Sequence, residues 1–154
     1  MRLLLQRVAQ ASVRADQGLI AEIGPGLVIF VAIREGDTDE DARYVADKAL
    51  HLRIFPDTEQ RFNRSALDAG AQLLIVSQFT LYADTRKGRR PSFSEAATPE
   101  AARPMFQRVV DLFKESGLRV ETGRFQEHMV VEIDNDGPVT IWLDSAERLR
   151  TRRG

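Results

Sequence analysis

The sequence predicts an α+β fold in which a mostly antiparallel sheet, closed or half-closed into a barrel, packs against two main helices. Three observations predict this class. Short apolar segments rich in β-branched residues recur between turn signals along the chain. Only two stretches have apolar residues at the spacing of an amphipathic helix. The chain has 154 residues, of which 43% are apolar and 29% charged, and these values are typical of one globular domain.

The N-terminal part is predicted to consist of strands. Residues 2–8 alternate in polarity, and residues 11–15 either continue that strand or pair with it. The turn signal Asp16-Gln17-Gly18 then predicts a hairpin with residues 19–23. The apolar run of residues 27–33 is short and β-branched, which predicts a central strand covered on both faces.

Two segments are predicted to be helical. The first covers residues 39–52 and follows Thr38, which can cap the helix together with Asp41 in a capping box. Its acidic start is best explained as a complement to the helix dipole. The second helix follows Thr98, has a proline at its first position, and ends at Ser116-Gly117.

Three further strands are predicted in the C-terminal part, over residues 118–122, 129–133 and 139–143. The acidic and glycine-containing segment of residues 134–138 joins the last two. It superficially resembles a calcium-binding loop, but its flanks are strands and its twelfth position is Ser145 instead of a bidentate glutamate. A hairpin turn is therefore the better interpretation of this segment.

Composition excludes several kinds of site. The chain has no cysteine, which excludes disulfides, thiolate nucleophiles and cysteine zinc sites. Two histidines, His51 and His128, are too few for the usual zinc ligand set, so we expect no metal and no cofactor. The longest apolar run, residues 26–33, is too short to span a bilayer, and residues 1–8 lack the features of a signal peptide. We therefore expect a cytoplasmic protein.

Charge is distributed unevenly although the net charge is only −1. Four cations, Arg86, Lys87, Arg89 and Arg90, fall within five residues, and further arginines lie at the C-terminus. A net charge near zero does not indicate nucleic acid as a partner. Taken alone, the cluster is best interpreted as a solvated loop.

A candidate for chemistry lies at the end of the predicted strand of residues 73–76. This strand continues into Ser77-Gln78-Phe79-Thr80, a polar exit from a rigid support. Thr80 or Ser77 can act as a hydroxyl nucleophile, or backbone N–H groups around Gln78 and Phe79 can stabilise an oxyanion. The simplest alternative is a strand end whose hydroxyls bind neighbouring backbone groups.

Two segments together resemble a known family. Ser77-Gln78-Phe79-Thr80-Leu81 and Asn135-Asp136-Gly137-Pro138-Val139-Thr140 resemble the paired motifs of the D-aminoacyl-tRNA deacylases, also called D-tyrosyl-tRNA deacylases. The resemblance extends to residue 144 and predicts one deacylase domain over residues 1–144 with a basic C-terminal tail over residues 145–154. It includes residues 5–8 and 11–13, Arg53-Ile54-Phe55, residues 90–94, and residues 122–125 leading to Met129.

The resemblance implies a homodimeric cytoplasmic hydrolase that cleaves the ester between a D-amino acid and the terminal adenosine of tRNA. In that family the bond between Gly137 and Pro138 is cis and enters the partner subunit's site, so these residues would act in trans. The Ser77 to Thr80 segment would lie against the substrate. Phe125 and Met129 match positions that line the adenine pocket, whereas residues 126–128 depart from the small residues common in relatives.

The resemblance also suggests how the substrate is selected. A rigid carbonyl wall that leaves no room for an L side chain discriminates by exclusion, and glycine, which has no side chain, would escape exclusion. Glycyl-tRNA is therefore also an expected substrate. Arg86, Lys87, Arg89 and Arg90 would meet acceptor-stem phosphates.

The attacking group is expected to come from the substrate. Neither histidine is placed to activate Thr80, whose hydroxyl is too weak an acid to react unaided. The 2′-hydroxyl of the terminal ribose can instead assist or orient a water molecule. A non-catalytic dimeric nucleic-acid-binding module remains the alternative, and a metal-dependent nucleotide hydrolase is disfavoured by the missing ligand set.

Overall fold

The computed structural model describes residues 1–150 and confirms the α+β class: a nearly closed, barrel-like sheet packs against two main helices. The strands are β1 (Arg2–Ala15), β2 (Gly18–Ile23), β3 (Gly26–Ala32), β4 (Phe55–Pro56), β5 (Phe62–Arg64), β6 (Gln72–Ser77), β7 (Val120–Thr122) and β8 (Val130–Asp144). The helices are α1 (Asp39–His51), α2 (Ala66–Ala69) and α3 (Pro99–Lys114), and single 3₁₀ turns cover Phe79–Tyr82 and Ser145–Leu149.

The main sheet is mixed. Its order is β2-β1-β3-β6-β7, and β8 pairs with the other edge of β1. The pairs β1–β2, β1–β3 and β1–β8 are antiparallel, whereas β3–β6 and β6–β7 are parallel. The parallel pairs arise because α1 and α3 lie in the connections between these strands, and parallel neighbours require such crossovers.

The long strand β1 explains two differences from the sequence-based expectation. Its two candidate segments form one strand that pairs first with β3 and then, through the confirmed hairpin, with β2. Along its other edge it pairs with β8 over nearly its whole length, so the expected hairpin at residues 134–138 is wrong. These residues lie within β8, where Thr140 pairs with Gln6 and Asn135 pairs with Val8. Four residues of β8 are therefore opposite one residue of β1; Asp136, Gly137 and Pro138 bulge outward, whereas Val139 is buried.

The apolar side chains form two cores. Leu27 and Ile29 of β3 and Leu73 of β6 face the helices, whereas Val28 and Leu74 face the interior of the curled sheet. Both strands are buried on both faces, as expected for β3, because alternate residues contribute to different cores. A strand held on both faces is a rigid support for the residues that follow it.

Helix α1 begins with the predicted capping box: the Thr38 N–H donates to the Asp41 carboxylate at 2.8 Å. Next to it, Asp39 accepts hydrogen bonds from Arg108 of α3 and from Arg43, both at 2.6 Å. These bonds, the one from Arg108 first, lower the pKa of Asp39. The pairing therefore stabilises the fold above the ordinary aspartate pKa, and its contribution is lost as the pH falls through the lowered pKa.

The residues that follow 144, expected to form a basic tail, contact the domain where the structure describes them. The Ser145 N–H donates to the Met1 carbonyl at 2.9 Å, and Arg148 binds the Asp41 carboxylate at 3.1 Å. Arg152 and Arg153 lie outside the described residues. Among residues 1–150, no helix has the length and apolar character needed to cross a membrane.

Candidate active site

A cleft of about 660 Å³ opens where β6 ends. One side is formed by the polar exit from β6, the other by the segment of residues 124–129 that follows β7, and the start of α3 closes the floor. The cleft brings together five of the predicted site residues: Ser77, Gln78, Phe79, Phe125 and Met129. Thr80, Gly137, Pro138 and the four cations of the basic cluster are not part of its lining.

The backbone at the end of β6 offers two N–H groups. The Gln78 N–H donates to the Val31 carbonyl at 2.8 Å, so this amide is engaged with β3. Phe79 and Thr80 begin a 3₁₀ turn, and the first amides of a helical turn have no acceptor within it. Among residues 1–150 neither amide donates to another group of the chain. The candidate oxyanion donors are therefore Phe79 and Thr80, not Gln78.

The hydroxyl of Thr80 is not activated by its neighbour. The Gln78 side-chain amide donates a hydrogen bond to Thr80 Oγ1. A neutral carboxamide has no basic group that could take the hydroxyl proton, so this contact orients Thr80 without making it a nucleophile. The geometry thus favours the oxyanion interpretation of the segment over covalent catalysis.

Arg2 holds the 3₁₀ turn from the side of β1. Its guanidinium donates to the Leu81 carbonyl at 3.0 Å and to the Asp144 carboxylate at 3.2 Å. It also lies 4.3 Å from the ring centre of Tyr82 and 5.3 Å from that of Trp142. Burial raises the pKa of the Tyr82 hydroxyl, which keeps the ring neutral beneath the cation. One side chain thereby fixes the turn that carries the two free amides.

We expect the Arg2→Met substitution to lower kcat by roughly ten- to a hundredfold with little change in KM, because a displaced turn misplaces the candidate donors. The matched control is Arg14→Met on the same strand, which removes a comparable 3.3 Å pairing with Glu132 away from the turn. Steady-state kinetics with D-tyrosyl-tRNA, the substrate that the resemblance implies, measures both variants. Equal kcat values for the two would show that Arg2 does not position the turn.

The opposite side of the cleft offers an apolar surface for a flat group. The Phe125 ring lies 5.9 Å from the Phe106 ring and 4.6 Å from the guanidinium carbon of Arg103. Met129 Sδ accepts a hydrogen bond from the Arg124 N–H at 3.2 Å. A Cβ at Gly123 would come within 2.9 Å of Met129 Sδ, so glycine permits this close packing. An aromatic ring and a polarizable thioether together suit a nucleobase.

The departure from the family pattern, residues 126–128, forms the rim of this surface. Gln126 has a positive φ of 61° and accepts a hydrogen bond from Arg103 at 3.1 Å. Arg103 therefore supports both the rim and the ring of Phe125. The larger side chains are accommodated without filling the cleft.

The Gly137-Pro138 loop lies on the surface, at the bulge in β8, and its peptide bond is cis as expected. The buried Arg7 donates to the Asp136 carbonyl at 2.9 Å and to the Ile54 carbonyl at 2.6 Å. Asn135 closes the loop by accepting from the Val139 N–H at 2.8 Å. The loop is therefore fixed, faces outward and does not line the cleft of its own chain.

The basic cluster lies on an exposed loop that is closed by backbone hydrogen bonds between Asp84 and Ser92. Arg86 pairs with both oxygens of Asp84, at 2.9 and 2.7 Å, and this hydrogen bonding lowers the pKa of Asp84 to about 2. The charge of Arg86 is therefore largely compensated within the loop. Among the described residues, Lys87, Arg89 and Arg90 have no ion-pair partner.

Comparison with known proteins identifies the family. A sequence model described as D-Tyr-tRNA(Tyr) deacylase matches residues 4–144. The chain belongs to this family. It is 55% identical to the D-aminoacyl-tRNA deacylase of Thermomicrobium roseum over 147 residues, which cover 96% of each chain. It is 53% identical to that of Dehalococcoides mccartyi over 152 residues, which cover 99% of each.

Solved structures agree with the fold of this family member. A structure titled c-Myc DNA Unwinding Element Binding Protein superposes with a TM-score of 0.88 at 34% identity, covering 94% of this chain and 98% of that one. A probable eukaryotic D-amino acid tRNA deacylase superposes with a TM-score of 0.81 at 20% identity, covering 93% and 98%. With its family so identified, the chain is an enzyme of the hydrolase class.

Three supporting residues of this family member were not found from the sequence. Arg2, Arg7 and Arg103 are isolated arginines in segments of unremarkable composition. Arg2 is in phase with the partly exposed residues of β1, where a cation normally faces solvent, and only its contact with a turn 79 residues away distinguishes it. Arg7 is in phase with the buried Leu3 and Leu5, so the alternation of β1 could have indicated a buried cation there.

Proposed function

We propose that the chain hydrolyses the ester bond of D-aminoacyl-tRNA and releases free amino acid and tRNA. The observation that supports this most strongly is the placement of Phe79, whose amide and that of the adjacent Thr80 are free, across one cleft from the apolar surface of Phe125 and Met129. The adenine base would lie on that surface and the ester carbonyl against the amides. Two N–H groups at that position stabilise the negative charge that develops during ester hydrolysis.

The substrate itself supplies the assisting hydroxyl in this proposal. We expect D-tyrosyl-tRNA that ends in 2′-deoxyadenosine to be strongly impaired as a substrate, because it lacks the 2′-hydroxyl beside the ester. Thr80→Ala, in contrast, should retain substantial activity, since the side chain has no activating base. Rates of amino acid release with both substrates and both enzymes measure this. A trapped acyl-Thr80 intermediate would replace the proposal with covalent catalysis.

Selection of the D enantiomer is assigned to a second subunit. Gly137 and Pro138 are exposed and lie outside the cleft of their own chain, which supports a homodimer in which they enter the partner's cleft. Their rigid carbonyl groups would leave no room for an L side chain and would accept D residues and glycine. A two-fold dimer places one such loop in each cleft.

The cytoplasmic location expected from the sequence stays a prediction.

The basic loop is proposed to bind acceptor-stem phosphates. Neutralising Lys87, Arg89 and Arg90 should lower the log-log salt slope of tRNA binding by roughly 0.9 for each lost phosphate contact. Neutralising Arg86 and Asp84 together should change it little, because the two charges of this pair already cancel. The preference for D over L substrates should stay unchanged. Binding titrations at several salt concentrations measure the slope, and an unchanged slope in the triple variant would assign the loop to solvent.

A non-catalytic nucleic-acid-binding dimer is the second candidate. The solved structure with 34% identity is titled as a DNA-element binding protein, which supports keeping this alternative. Release of amino acid from D-tyrosyl-tRNA by the purified chain decides between the two. We expect catalytic release that continues in the presence of a chelator. Binding without release would support the alternative, and release abolished by chelator would support a metal-dependent hydrolase.

A further inference from the structure

A second cavity, of about 210 Å³, lies beside the first cleft. It is lined by the turn of the β1–β2 hairpin, Ala15, Asp16 and Gln17, and by Arg124, Glu127 and His128. The last three residues also line the first cleft. The two cavities are therefore neighbours that share the segment of residues 124–128 as a common wall.

The shared wall is fixed from the side of the first cleft. The Arg124 N–H binds Met129 Sδ, and Arg103 binds the side chain of Gln126. A ligand on the apolar surface of the first cleft thus lies directly against the wall. The second cavity therefore adjoins the first cleft at this wall.

The second cavity has one guanidinium, from Arg124, beside the carboxylates of Asp16 and Glu127. The Arg124 guanidinium forms an ion pair with the Glu127 carboxylate at 3.7 Å, a separation longer than a hydrogen bond, and its side chain is 48% exposed. Its N–H groups can therefore bind a phosphate in the bidentate manner typical of arginine. The carboxylate of Asp16 and the amide of Gln17 can accept hydrogen bonds from ribose hydroxyls and base N–H groups.

We propose that this cavity binds the nucleotide that precedes the terminal adenosine of the tRNA, with the phosphate that links the two nucleotides on Arg124 and the preceding base over the hairpin turn. The proposal rests on the proposed function, since it places the terminal adenosine in the first cleft. It extends the site from one nucleotide to two. The cleaved bond and the chiral selection are unaffected by it.

Two small substrates test the proposal: the D-tyrosyl ester of adenosine and the D-tyrosyl ester of cytidylyl-(3′,5′)-adenosine. The dinucleotide ester should have a KM lower by roughly fivefold or more, the value of one bound base. The double variant Gln17→Ala, Arg124→Gln should bring the ratio of the two KM values close to one. The matched control Gln107→Ala, Arg61→Gln removes the same side-chain types from surfaces outside both cavities and should keep the ratio.

The possible results distinguish failure of the second nucleotide site from failure of the proposed function. Equal KM values for the two esters, or a ratio that survives in the double variant, would overturn the second nucleotide site and leave the proposed function standing. Absence of D-specific hydrolysis of the adenosine ester itself would contradict the proposed function. Circular dichroism and thermal unfolding of all variants establish that each one is folded.

Discussion

Phe79→Pro is expected to lower kcat by roughly 100- to 1,000-fold, the usual cost of one lost oxyanion donor. Proline removes the N–H and keeps a φ suited to the first position of a helical turn, where Phe79 lies. The preceding Gln78 has φ −144° and ψ 74°, which is outside the α region that a following proline disfavours. The substitution therefore removes a donor and leaves the turn intact.

Phe79→Ala is the matched control, because it removes the same 55% exposed ring and retains the amide. We expect it to lose much less activity than the proline variant. Single-turnover rates with D-tyrosyl-tRNA compare the two variants, and equal losses would mean that the ring, not the amide, is required. Contact between the Phe79 and Phe93 rings, whose centres are 5.1 Å apart, is lost in both variants.

Gly137→Ala is expected to lower D-tyrosyl-tRNA hydrolysis by about a hundredfold or more, because a misplaced loop would no longer complete the partner's cleft in the proposed dimer. Gly137 has a φ of 143°, and a Cβ there would lie 2.7 Å from Val139 Cγ2 and 3.0 Å from the Val139 nitrogen. Gly117→Ala is the control, since it has a φ of 82° and an open environment distant from the cleft. Wild-type activity of the Gly137→Ala enzyme would show that the loop is not part of the site.

Complementation between subunits tests whether the loop acts in trans. A heterodimer of one Gly137→Ala chain and one Phe79→Pro chain contains one cleft with an intact partner loop. Such heterodimers, purified through two different tags, should have about half the wild-type activity per dimer if the loop acts in trans. Activity as low as that of the two homodimers would assign the loop to its own chain.

The sequence predicts the strands and helices that support the site better than the bulge and the hydrogen bonds within it. Strand β6, helices α1 and α3 and the capping box are visible because hydrophobic spacing and capping residues are local signals. The bulge in β8 is not visible in the sequence. The polarity of the side chains alternates before and after Gly137 in the same way whether the two segments form a hairpin or one strand along β1. The partner strand alone decides between these two arrangements.

The register of neighbouring strands and the closure of loops determine which groups of the site are already engaged in hydrogen bonds. The sequence does not reveal either of them. The Gln78 amide is engaged because β6 lies parallel to β3 with Ser77 opposite Val31. Arg86 differs from its neighbours in the basic cluster only because Asp84 is held in place by the closed loop. The candidate residues were therefore predictable as a group, and their individual roles required the structure.

The most direct test of the account is the rate of hydrolysis of D-tyrosyl-tRNA, L-tyrosyl-tRNA and glycyl-tRNA by the wild-type protein. We expect rapid release of D-tyrosine and glycine and no release of L-tyrosine above the uncatalysed rate. Comparable hydrolysis of the D and L esters would contradict selection by steric exclusion, and failure to hydrolyse the D ester would contradict the proposed function as a whole.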